Sequence, residues 1–131
     1  MDKEKYVTYE TAKCLKEKGF DWYCCNHLYC RKENGKVIER WTPFPADRNS
    51  DRLVNPYAEY MSAPTQQMAM RWLREEKGIH PELELCTDNE FSFTIYKLDG
   101  KRTVLYEEKR CWTNPEDAIE AAILYVLKNL I

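Results

Sequence analysis

The residues with the most reactive side chains lie close together in one run, Cys24-Cys25-Asn26-His27-Leu28-Tyr29-Cys30. Thiols beside an imidazole suggest two chemistries: a zinc site, or a cysteine nucleophile served by a histidine base. The spacing argues against zinc. Zinc sites pair cysteines about two to four residues apart and then supply a second pair. No second pair follows here, and Cys86 or Cys111 could join only through the fold. Read as a strand, the run puts Cys25 and His27 on one face and Cys24, Leu28 and Cys30 on the other, which splits the ligands. No metal and no cofactor are therefore expected, and the six cysteines, Cys14 included, read as structural thiols. A nucleophile would need Cys25 with His27, or His80, as its base. No nucleophile elbow, phosphate loop, HExxH or paired-carboxylate signature accompanies them, so catalysis is not expected.

A second constellation is better suited to binding. The stretch Thr42 to Met61 holds Pro43, Pro45 and Pro56 and reads as a long irregular loop, a length that in small domains is often functional. It carries Asp47, Arg48, Asn49, Asp51, Arg52, Tyr57 and Tyr60. Arginines with aromatics grip planar or anionic ligands through forked hydrogen bonds and stacking. The same composition also suits a plain surface connection. The wetter side of the following helix adds Gln66, Gln67, Arg71 and Arg74. The candidate ligand-binding residues are Arg48, Arg52, Tyr57, Tyr60, Gln67, Arg71 and Arg74.

The elements that must position these residues are well marked. Thr8 reads as the N-cap of a first helix that Gly19 stops, with Phe20 folding back on Leu15. Asn34-Gly35 predicts a two-residue hairpin turn that pairs Glu33 with Lys36, Arg31 with Ile38 and Leu28 with Trp41. A central helix follows, with Ser62 or Ala63 as N-cap and Pro64 in its first turn. Thr65, Met68, Ala69, Trp72, Leu73 and Glu76 share one face of it, and Gly78 ends it. Three strands come next. Leu83, Leu85 and Thr87 alternate with polar residues, Asp88-Asn89 turns the chain, Phe91, Phe93 and Ile95 alternate again, and Asp99-Gly100 turns into Thr103 to Glu107. Thr113-Asn114-Pro115-Glu116 opens a last helix that buries Ala118, Ile119, Ala122, Ile123, Val126, Leu127 and Leu130. The order is α-β-β-loop-α-β-β-β-α, an α+β class with antiparallel sheet. One domain is expected, with residues 1–61 forming helix, hairpin and loop, and residues 62–131 an α-β-β-β-α core.

Composition bounds the partners. At 131 residues with 44% apolar side chains, the chain can bury a core of its own. Its 20 basic and 22 acidic side chains leave a net charge of −2, which argues against coating a phosphate backbone. The last five predicted elements follow the order of a double-stranded-RNA-binding domain. Such domains use a lysine-rich start to their last helix, whereas this chain has Glu116 and Asp117 there, so duplex nucleic acid is not an expected partner. No apolar run reaches membrane-spanning length, and no secretory h-region follows the charged Met1-Asp2-Lys3-Glu4-Lys5. A cytoplasmic protein is expected, one that does not engage a membrane. An exposed edge strand or aromatic loop could support a homo-oligomer.

Three blocks carry a resemblance: Tyr6 to Phe20 (YVTYETAKCLKEKGF), Ser62 to His80 (SAPTQQMAMRWLREEKGIH) and Pro115 to Ile131 (PEDAIEAAILYVLKNLI). In these the chain resembles a family of small uncharacterised proteins encoded by phages and prophages of gut anaerobes. The matching motifs mark helix starts, anchors and stops, and the family brings no agreed catalytic residues. The resemblance implies a phage accessory protein acting in the cytosol of a bacterial host. The expected function is non-enzymatic binding against host defence, by sequestering a small anionic, nucleotide-like signal or by blocking a host protein. A zinc-stabilised adaptor built on the Cys24–Cys30 cluster, or a cysteine-dependent enzyme, are the alternatives.

Overall fold

A computed structural model describes the backbone of residues 5–22, 27–33, 36–42, 58–60 and 63–131, and the side chains of residues 5–22 and 63–131. The elements run α1 (Tyr9–Glu17), β1 (His27–Glu33), β2 (Lys36–Thr42), β3 (Ala58–Tyr60), α2 (Gln66–Lys77), β4 (Ile79–Thr87), β5 (Glu90–Lys97), β6 (Thr103–Glu107) and α3 (Pro115–Tyr125), which a π-helical turn (Val126–Leu130) extends. This is the expected α+β class. The chain divides into two compact units, Tyr6–Thr65 and Met1–Lys5 with Gln66–Ile131.

In the first unit, α1 forms as its caps dictate. Thr8 accepts from the Thr11 N–H, and Gly19 adopts φ 95°. The Phe20 N–H donates to the Leu15 carbonyl at 2.9 Å and the Gly19 N–H to that of Lys16 at 3.1 Å. This is a Schellman stop, with Leu15 and Phe20 both buried. The β1–β2 ladder has the expected register, including Glu33↔Lys36, Arg31↔Ile38 and Leu28↔Trp41. One departure concerns the stretch expected to be irregular. Thr42 closes β2, and Ala58–Tyr60 forms β3, which adds to the other edge of β1 in the order β2-β1-β3. Residues 43–57, 61 and 62 lie outside the described residues, as do Asn34 and Gly35. The ends of this unit meet: Tyr6 and Thr65 form an antiparallel bridge, and the Val7 N–H donates to the Pro64 carbonyl at 3.0 Å.

That pairing moves the start of α2. The Gln66 N–H donates to the Lys5 carbonyl at 2.8 Å, so the chain stays extended through Thr65. Pro64 therefore precedes the helix instead of lying in its first turn, and Ala63 does not cap it; Ser62 lies outside the described residues. The buried stripe is Gln66, Ala69, Trp72 and Leu73. Glu76 is exposed, and Gln66, expected on the wet side, is only 4% exposed. Its amide is satisfied inside: Nε2 donates to the Glu116 carbonyl at 2.9 Å.

The second sheet has the order β4-β5-β6, antiparallel throughout. Its inner face carries Ile79, Pro81, Leu83, Phe93, Ile95 and Tyr106, matched in register, and lies under α3, with α2 packing on β4 and α3. Phe93 stacks on Trp112 with centroids 5.7 Å apart, and Tyr106 on Tyr125 at 3.9 Å. Trp112 is held against the strand by a reciprocal backbone pair with Phe91, both bonds 2.7 Å. Leu85 departs from the alternation: it lies next to a bulge before Thr87 and is 64% exposed. The last helix begins as its sequence requires, with the Asn114 side chain accepting from Glu116 and Asp117 N–H groups and Pro115 in the first turn. Ala118, Ala122, Ile123, Val126 and Leu127 are buried, while Ile119 and Leu130 are half-buried.

These contacts set two stability expectations. Asn114→Ala should cost about 1 kcal/mol through loss of the cap. Phe93→Ala should cost about 3–5 kcal/mol through the cavity it leaves. Denaturant unfolding checks both, and the order of the two effects is the critical reading.

Candidate anion-binding face

The outer face of the second sheet is polar because β4 and β5 alternate strictly through their first rungs. Register places His80 opposite Tyr96, Glu82 opposite Thr94, and Thr94 opposite Glu107. His80 holds its place because Gly78, at φ 66°, ends α2 and turns the chain directly into β4. The Gly78 carbonyl then accepts from the Leu98 N–H at 2.8 Å, which locks the start of β4 to the end of β5.

Arg102 completes the cluster. It follows the Asp99-Gly100 turn and, at φ 54°, is the one non-glycine residue among those described with a left-handed backbone. Such a conformation costs about 1 kcal/mol or more in a non-glycine residue. Asp99 organises this turn, accepting from the Thr103 hydroxyl at 2.8 Å and the Lys101 N–H at 3.1 Å. Those two bonds hold the Asp99 carboxyl below its ordinary range, the Thr103 bond contributing most. The result aims the Arg102 guanidinium over the Tyr96 ring, 4.6 Å from its centroid, and 3.4 Å from the Glu82 carboxylate.

His80 sits among these charges. Burial first, and then the positive charge of Arg74, hold its imidazole below the ordinary 6.5; Glu82 opposes this and Arg102 adds to it. Its Nδ1 is buried and has no hydrogen-bond partner among the described residues. The imidazole thus lies within reach of the charges of two guanidinium groups, Arg74 and Arg102, and of one carboxylate, Glu82.

The sequence-derived candidates fall in different places. Gln67, Arg71 and Arg74 form one exposed stripe of α2, at helical spacings of four and three. Arg71 is committed to Glu75, with Nε 2.9 Å from the carboxylate. Arg74 is the one whose charge reaches the sheet cluster. Tyr60 falls in β3, paired with Tyr29, and Arg48, Arg52 and Tyr57 lie outside the described residues. Glu82, Tyr96 and Arg102 were not singled out from sequence. The alternation of β4 and β5 could have placed Glu82 and Tyr96 beside His80, but the left-handed Arg102 leaves no sequence signal.

The cysteines also separate. Cys24 and Cys25 lie outside the described residues, and Cys30 lies in β1 opposite Glu39. Cys86 and Cys111 come close enough to interact: a hydrogen bond with Cys86, reinforced by burial, pushes the Cys111 thiol up to about 11. Cys111 is thereby kept as the thiol at neutral pH, the reverse of what a nucleophile needs. Among the described residues no group of three or more His, Cys, Asp or Glu side chains could hold a metal ion. A shallow cleft on the inner face, lined by Met70, Pro81, Leu83, Phe93, Ile119 and Ala122 among others, is too tight to hold a water molecule. No helix among the described residues is long and apolar enough to cross a membrane.

No protein-family model, curated protein or solved structure matches this chain.

The depressed His80 pKa gives a signed expectation. The unfolded chain binds a proton more readily than the folded one, so His80 costs no stability above its unfolded value of about 6.5. Stability falls as pH drops through 6.5 and on through the lower folded pKa. Unfolding at pH 7.5 and pH 5 should show a smaller acid-side loss in His80→Gln than in the parent. An identical loss in the two proteins would contradict the assignment.

Proposed function

We propose that this protein is a non-enzymatic binding protein whose polar sheet face takes a small anionic, nucleotide-like ligand through Arg74, Arg102 and His80. The observation that carries this reading is the Arg102 guanidinium, held by a left-handed backbone over Tyr96, with its charge and that of Arg74 both felt at His80. An arginine fork donates paired N–H bonds to phosphate oxygens, and the Tyr96 ring keeps it flat and oriented. The neutral His80 can donate one N–H to the same anion. Glu82 occupies Arg102 at 3.4 Å, in the way the ligand's own charge would. Because that ion pair is largely exposed, its rupture costs little and an incoming phosphate can displace it.

The resemblance to phage-encoded proteins supports a setting for this activity. A phage protein that sequesters a nucleotide signal in the host cytosol needs affinity and no turnover. The acidic first turn of α3, with Glu116 and Asp117, supports a small ligand over duplex nucleic acid.

Glu82 supplies the discriminating test. Binding of a panel of mono- and dinucleotides is measured by calorimetry for the parent, Arg102→Ala, Arg74→Ala and Glu82→Gln. The Arg102 and Arg74 changes should each weaken binding about tenfold, roughly 1.4 kcal/mol. Glu82→Gln should tighten it, since the competing carboxylate is gone. Absence of binding across the panel, or weaker binding in Glu82→Gln, would overturn the proposal.

A further inference from the structure

The second sheet ends in β6, whose single strand partner among the described residues is β5. β6 is apolar in its middle and exposed there: Val104 is 48% and Leu105 37% accessible. Leu105 is skipped in the pairing with β5, where Ile95↔Tyr106 is followed directly by Tyr96↔Val104. An accessible apolar strand edge is normally covered or guarded by charge. Here the charges are sorted along the strand. Lys101 and Arg102 precede it, and Glu107 and Glu108 end it.

That arrangement selects one occupant. A second copy laid parallel would set like charges against each other. Laid antiparallel, it sets the exposed Lys101 of each copy beside the exposed Glu107 of the other, twice by symmetry, with Val104 and Leu105 meeting in the centre. We propose that β6 is a self-complementary edge through which two copies of this chain pair antiparallel into a symmetric dimer. A two-fold contact of this kind is closed, so it yields dimers without onward polymerisation. The edge is short (Thr103–Glu107), so the pair is a weak one that dissociates on dilution and is sensitive to salt. The proposal is independent of the anion-binding face: ligand affinity and self-association are read in separate experiments.

A charge-swap experiment tests it. Sedimentation equilibrium is run on the parent, Lys101→Glu, Glu107→Lys, the Lys101→Glu/Glu107→Lys double variant, and an equimolar mixture of the two single variants. Both residues are exposed, and circular dichroism confirms that each variant is folded. Each single variant replaces two attractive contacts by two repulsive ones and should weaken self-association about tenfold. The double variant and the mixture restore opposite charges at both contacts and should return to within about threefold of the parent by the same pairing rule. A parent that is monomeric at every concentration would overturn the proposal. So would single variants that associate as the parent does, or a mixture that fails to recover.

Discussion

The unit built around the second sheet depends on the burial of the β5 inner face beneath α3. Phe93 and Ile95 are essentially inaccessible, and so are Ala118, Ala122 and Ile123 of the helix. Phe93 also anchors the segment after β6 through its stack on Trp112, while Tyr106 of β6 stacks on Tyr125 at the end of α3. Side chains on a strand alternate, so packing Phe93 and Ile95 against α3 puts Ser92, Thr94 and Tyr96 on the opposite face. A slip of one residue would exchange the two sets. Ser92 and Thr94 are themselves only 4% and 2% exposed, so the opposite face is polar but opens to solvent only around the half-buried His80, Glu82 and Tyr96.

The same constraint explains how the polar face is assembled with so few special features. β4 begins immediately after Gly78, so α2 delivers Arg74 close to the row that holds His80. The Asp99 turn delivers Arg102 to the same end of the sheet from its other edge, where Thr103 pairs with Lys97. Where β6 leaves the sheet, Ser92 donates to the Glu108 and Arg110 carbonyls at 2.8 and 2.9 Å, keeping the departing chain close to β5. Glu108 itself is used up in this turn. Burial would raise its carboxyl, but bonds from the Arg110 N–H, the Tyr106 hydroxyl and the Lys109 N–H outweigh that and hold it low. Its carboxylate is structural, whereas the exposed Glu82 pair is open to exchange.

Much of the fold was legible because local signals and tertiary needs agree. Gly19, Gly78 and Asn114 act at the helix ends their types predict, and the β1–β2 register follows from the position of Asn34-Gly35. The errors fall where a long-range partner outweighs a local signal. Pro64 looked like a first-turn proline, but the bridge between Tyr6 and Thr65 keeps the chain extended past it. Gln66 looked like a surface residue, but its amide finds the Glu116 carbonyl inside. Leu85 looked half-buried, but the adjacent bulge disturbs the alternation. The candidate face was less legible than the fold. Arg74 could be read from the α2 stripe, but its meeting with His80, Tyr96 and Arg102 arises from strand pairing and one left-handed residue, neither of which is written locally.

His80 is the neutral member of the proposed anion site. The direct measurement is an NMR titration of its imidazole nitrogens across pH, with and without saturating inorganic phosphate. Without phosphate the pKa should lie below 6.5. With phosphate bound beside it the pKa should rise, because the anion favours the charged ring and opposes Arg74 and Arg102. A His80 pKa that stays fixed as phosphate is added would contradict the account.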